Sequence, residues 1–217
     1  MASQPDALGS PKPRLRGWLH AVMFPVASLA GIALVSTATH EGRIPSAIFA
    51  VAAALLFGVS ALLHRGAWSP RIEGLLRRID HANIFLIIAG TYTPVAALAL
   101  PPDHGRTLLL IVWLGALAGV MFRLFWVGAP RWMSTMLYVV VGWVAAFYLP
   151  DLIDGAGFVA VVLIVVGGVL YSLGAIVYAM KRPNPSPIWF GFHEVFHSLT
   201  VAAFLAHYAA VWLVAHA

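Results

Sequence analysis

The sequence predicts an all-α integral membrane bundle of seven transmembrane helices, and three observations carry that expectation. Of 217 residues, 61% are hydrophobic and only 10% are charged, against roughly a quarter charged in soluble domains. Mean hydropathy is +0.89. The polar residues gather in short stretches and leave apolar runs of the ~20 helical residues needed to cross a hydrocarbon core. A water-soluble enzyme is excluded. With no cysteine there is no disulfide, iron–sulfur cluster or thiolate ligand, so any transition-metal site has to be built from His and carboxylate.

Residues 1–17 are polar and Pro-containing, and the apolar run behind them is too long for a signal-peptide core. They read as an uncleaved cytoplasmic tail on a single membrane domain, 18–217. The first helix is expected at Trp18–Thr39, ending at the polar stretch His40 to Ile44. A second, Pro45–His64, runs to the basic segment beyond Arg65. The third, Ile79–Leu100, is stopped by Pro101-Pro102-Asp103, and the fourth, Arg106–Val127, by Gly128-Ala129-Pro130. Arg131–Leu149 ends at the Pro150 to Gly155 stretch, Gly157–Met180 at Lys181 to Pro187, and Ile188–Ala215 closes the set. There is no long linker and no internal repeat, which counts against a two-repeat transporter.

The thirteen Lys and Arg residues set the orientation. Lys12, Arg14, Arg16, Arg65, Arg71, Arg77, Arg78, Arg123, Arg131, Lys181 and Arg182 fall in or beside the tail and the loops after spans two, four and six. Only Arg43 and Arg106 fall on the other side, so the positive-inside rule places the N-terminus in the cytoplasm and the C-terminus outside, in a cell membrane. This is the reverse of a G-protein-coupled receptor. The only lysines are Lys12 and Lys181, both outside the spans, so a retinal Schiff base is not expected. Basic residues confined to short loops report topology rather than a nucleic-acid partner.

Ionisable groups within spans are costly and therefore functional candidates. His64 ends span two, Asp80 opens span three, and His193, Glu194 and His197 open span seven, all at cytoplasmic helix ends. His193 and His197 are four residues apart, one turn on one helix face, the usual spacing for two imidazoles on one cation. Ser60 and His64 repeat that spacing. Three neutral imidazoles with one position left open make a catalytic zinc site. Asp80 at the same depth can orient a ligand or hydrogen-bond a water there. A single histidine at a span end is ordinarily an interfacial residue; the pair, the third histidine and the aspartate together point to zinc. His207, fourteen residues beyond His193 and ~21 Å along the axis, is a packing or cavity residue. His40, His104 and His216 are expected to be solvated on the outer side, and His20 and His81 to lie on the cytoplasmic side, His81 as a helix contact behind Asp80.

His193-Glu194-Val195-Phe196-His197 also matches H-E-x-x-H, in which the glutamate of a zinc protease is the general base. The match has three fixed letters, and no partner ligand segment lies on the same side, since Asp154-Gly155 is on the outer one.

Four segments carry a family resemblance: Ser60-Ala-Leu-Leu-His64, Arg78-Ile-Asp80-His81-Ala-Asn-Ile-Phe, Ala89-Gly-Thr-Tyr-Thr-Pro94 and His193-Glu-Val-Phe-His197. Over Trp18 to Ala215 the chain resembles the hemolysin III family, the bacterial branch of the progestin and adiponectin receptor proteins. The resemblance implies seven helices with the N-terminus inside, and a zinc near the cytoplasmic face on His64, His193 and His197, with Asp80 and Ser60 beside its water. In the first span the chain departs from the family pattern: Arg16-Gly-Trp-Leu-His20 keeps the histidine without the Glu and Asn that often precede it. Family names point variously to cytolysis, ceramide hydrolysis and membrane lipid homeostasis. The expectation formed here is a zinc-dependent hydrolase of a lipid amide or ester, with Asp80 exchanging the proton and Ser60 steadying the oxyanion or water. The alternatives are a zinc-stabilised, non-enzymatic regulator of lipid state, a cytolytic pore and the H-E-x-x-H protease. Thr91, with Ile84 and Ile87 between it and Asp80, suits the wall of an acyl-chain cavity.

Overall fold

A computed structural model describes residues 13–126, 128 and 130–217, with Arg131 described by its backbone alone. Expectations for Lys12, for the rest of 1–12, and for Val127 and Ala129 fall outside the described residues. Among the described residues eight α-helices form: α1 (Trp18–Thr37), α2 (Arg43–Arg65), α3 (Pro70–Ala99), α4 (Pro102–Phe125), α5 (Arg131–Gly142), α6 (Leu149–Ala156), α7 (Phe158–Met180) and α8 (Phe192–Ala215). A 3-10 turn, Val144–Tyr148, joins α5 to α6. Trp132–Ala156 counts as one span, so seven segments are long and apolar enough to cross a membrane. No β-strand forms among the described residues; an isolated bridge pairs Ser186 with Phe190.

Consecutive helices pack as antiparallel neighbours, α1 on α2, α2 on α3, α3 on α4 and α7 on α8. The ring closes where α8 packs against α1 and α3. The third span is the most buried, and its Phe85, Ala89 and Ala96 lie in the core with Phe49, Phe57 and Phe204. Exposed Leu29, Ile32, Leu110, Leu114 and Phe158 cover the outside, as expected where lipid rather than water is the solvent.

Four span boundaries differ from the sequence expectation by four residues or more, the fourth helix starting at Pro102 rather than Arg106 because a proline is tolerated in a first turn. The third helix begins nine residues early, at Pro70 rather than Ile79. Ser69 precedes it, proline occupies the first turn, and Glu73 takes a 2.6 Å ion pair from Arg77 one turn on. Hydropathy reads Arg71 to Arg78 as loop, but a helix can run on past the hydrocarbon. Asp80 is therefore ten residues inside α3 and does not open it.

The fifth span runs beyond Leu149, so Pro150 to Gly155 is helix α6 rather than a loop. Pro150 is tolerated because it falls in the first turn of that helix. The break in this span is stitched by Tyr92, whose hydroxyl donates to the Gly142 carbonyl (2.7 Å) and accepts from the Ala145 N–H (2.8 Å). The seventh span begins at Phe192, not Ile188. The preceding connector hydrogen-bonds instead to the N-terminal segment, through Arg14 N–H to Ile188 O and Leu15 N–H to Trp189 O.

Candidate metal centre

His64 lies in the last turn of α2, and His193 and His197 lie in the first two turns of α8. These helix ends meet at the end of the bundle where α1 and α3 also start, here termed the basic end. His64 Nε2 and His193 Nε2 are 3.2 Å apart, and one ring nitrogen from each of the three histidines falls within 4.8 Å of the others. Tetrahedral zinc with Zn–N of ~2.05 Å separates its nitrogen ligands by ~3.3 Å. The donor set and the closest spacing therefore fit a zinc-sized ion. The rings approach edge to face, with centroids 4.7 Å apart for His64–His193 and 4.4 Å for His193–His197.

Ser60, one turn before His64 on α2, lies beside the Asp80 carboxylate from α3. Both residues line the same cavity as His193 and His197. His64 does not line the cavity itself but meets His193 tip to tip through the two Nε2 atoms. His81 turns its Nδ1 to the Arg77 carbonyl (2.7 Å) and its Nε2 to the Tyr178 hydroxyl (3.0 Å). The carbonyl only accepts, so Nδ1 is the donor of the first bond. Tyr138 donates to the His81 carbonyl at 3.1 Å, so α5 and α7 both reach the α3 turn that bears Asp80.

Glu194, the glutamate of H-E-x-x-H, is turned away. Its carboxylate is ion-paired with Arg16 and accepts the Gly191 N–H at 2.8 Å, capping α8. It is 1% exposed and is absent from the cavity wall. Gly17 follows Arg16 with φ of +79°, and a Cβ there would lie 2.6 Å from the His64 Cβ. Only glycine lets the chain pass so close to the cluster.

The cavity has a volume of about 150 Å³. Ile84, Ile87 and Thr91 line it, as the helical register of α3 requires, and His207 lies on its wall farther along α8. His40 is exposed, but His104 is paired with Asp151 at 2.6 Å and His216 with Thr37 at 2.9 Å, so these two are not simply solvated.

A family model described as haemolysin-III related matches residues 9–208. The chain is 40% identical over 149 residues to the hemolysin-3 homolog of Bacillus subtilis (strain 168), covering 67% of this chain and 68% of that one. It is 37% identical over 155 residues to hemolysin-3 of Bacillus cereus, covering 70% and 69%. The chain belongs to the haemolysin-III related family.

In this haemolysin-III family protein three residues near the site escaped the sequence reading. His20 from α1 stacks on His197, with centroids 3.8 Å apart and planes at 7°, and meets Phe57 edge-on at 5.1 Å. It lies in the first turn of α1 but is buried at 2% exposure, and no spacing in the sequence brings α1 beside α8. Tyr178 is an aromatic residue in an apolar helix, with nothing in its surroundings to mark it. Tyr92 sits inside Ala89-Gly-Thr-Tyr-Thr-Pro94, so the motif drew attention to it, but its partners are about fifty residues away.

Proposed function

We propose that this multi-pass membrane protein of the haemolysin-III family is a zinc-dependent hydrolase of a lipid amide or ester, acting in the cell membrane. The supporting observation is the grouping of three histidine nitrogens and a Ser60–Asp80 pair at one end of a cavity walled by Ile84, Ile87, Ile88 and Val165. An apolar cavity admits a lipid chain and keeps bulk water out, while the polar end meets the carbonyl.

When bound, zinc supplies Lewis-acid polarisation of the carbonyl and activation of water. Asp80 takes a proton from the attacking water and delivers it to the departing nitrogen or oxygen. Ser60, beside Asp80, offers its hydroxyl to the negative charge that develops or to the attacking water. His20 and Phe57 pack the His197 ring and fix its orientation, and the Tyr178–His81 bond ties the Asp80 turn to α7. Glu194 is spent on Arg16 and the helix cap, which favours this reading over a protease that needs it as base.

A non-enzymatic regulator is the second reading. It draws support from the division of the histidines between α2 and α8, helices a bound ion would clamp. The two separate on purified protein with its metal content measured alongside fatty-acid release from a panel of lipid amides and esters. Asp80→Asn is expected to retain metal and lose release by at least about 100-fold. Unchanged release in that variant, or none from the wild type on any lipid, sinks the hydrolase in favour of the regulator.

A further inference from the structure

The metal site uses one end of the cavity, while its wall farther along the bundle carries two polar groups with no assigned role. His207 on α8 and Tyr171 on α7 both line the cavity, their ring centroids 5.5 Å apart. His207 Nε2 is 3.0 Å from the Ile164 carbonyl. A carbonyl only accepts, so Nε2 carries the proton and Nδ1 is left a bare acceptor. The Nδ1 atom and the Tyr171 hydroxyl oxygen are both buried without a hydrogen-bond partner. Buried polar groups are nearly always paired, and each exception calls for an explanation.

The fold makes room for this histidine. Gly167 on α7 faces it, and a methyl group there would overlap the imidazole carbon Cδ2. Val161 and Val165 are among the apolar residues of the same cavity wall. Among the described residues nothing completes the pairing.

We propose that His207 and Tyr171 form a subsite for a hydroxyl group carried within the acyl chain of a lipid bound in the cavity. An acceptor nitrogen beside a donor phenol complements a hydroxyl, which donates to the first and accepts from the second. A keto oxygen satisfies only the phenol, and a methylene satisfies neither. His207 lies ten residues past His197, ~15 Å along the helix axis at ~1.5 Å per residue, on the order of a dozen chain carbons from the histidine cluster. The substrate class is thus an acyl chain hydroxylated near its middle. This assignment rests on the reading that an acyl chain enters the cavity, but not on turnover.

The test is displacement of a fluorescent fatty acid from the purified full chain in detergent, using octadecanoic, 12-hydroxyoctadecanoic, 12-oxooctadecanoic and 2-hydroxyoctadecanoic acids. The 12-hydroxy acid is expected to bind about tenfold more tightly than the unsubstituted one, with the oxo acid between them and the 2-hydroxy acid gaining nothing. Tyr171→Phe keeps the ring and is expected to remove the preference without weakening octadecanoic acid. His207→Gln, folded or not, is scored beside it by its thermal midpoint. Equal affinity of all four acids for the wild type overturns the subsite alone and leaves a buried water as the pair's partner. Preference retained in Tyr171→Phe overturns it also. Displacement by none of the acids overturns the acyl cavity itself and the subsite with it.

Discussion

Single side chains decide whether the histidine cluster is a metal site. His64→Ala, His193→Ala and His197→Ala are each expected to reduce zinc to well below one per chain by elemental analysis, while His207→Ala retains it. Stoichiometric zinc in His193→Ala would refute the site. Glu194 is the informative counterpart. In Glu194→Gln the amide can still cap α8 but cannot pair with the Arg16 charge, so zinc and most activity should persist at lower stability. Loss of a partner from a largely buried ion pair costs about 3–5 kcal/mol, read as a fall in the thermal midpoint. If Glu194→Gln abolished hydrolysis and Asp80→Asn did not, the roles would be reversed and the protease favoured. The sequence showed these residues because imidazoles and carboxylates are conspicuous against hydrocarbon. It did not show His20, whose relation to His197 depends on which helices become neighbours.

At the scale of elements, helices were legible from composition while their ends and breaks were not. Hydropathy marks where a segment enters hydrocarbon, so α3 was expected only from Ile79, although Ser69, Pro70 and the Glu73–Arg77 pair start it a full two turns earlier. The same habit read Pro150 to Gly155 as a loop, though α6 continues the span across it. The interruption between Gly142 and Leu149 depends on one distant hydroxyl. Tyr92→Phe leaves the buried Ala145 N–H without its acceptor and the Gly142 carbonyl without its donor. A loss of about 1–3 kcal/mol is expected, with zinc content unchanged, and an unaltered thermal midpoint would show that the break is held by packing instead.

For the whole molecule, the basic residues of the even-numbered connections predict a cytoplasmic basic end. The natural absence of cysteine makes this simple to check. On intact cells a membrane-impermeant maleimide should label Asp103→Cys but spare Pro185→Cys until the cells are lysed; the opposite pattern would invert the bundle. The seven spans and the position of the cluster at one end were legible because both follow from counting along the chain. Ring closure was not, since the contact of α8 with α1 and α3 leaves no local trace. That closure has a consequence for the order in which the protein is made. Helices emerge from the ribosome in sequence, and until α8 inserts the growing chain holds only His64 of the three clustered histidines. Arg16 likewise waits for Glu194 through the synthesis of almost every other span. Any metal loading at the cluster would therefore be a terminal event of biogenesis, and a chain released before its last helix would leave the insertion machinery with Arg16 unpaired and two of the three histidines missing.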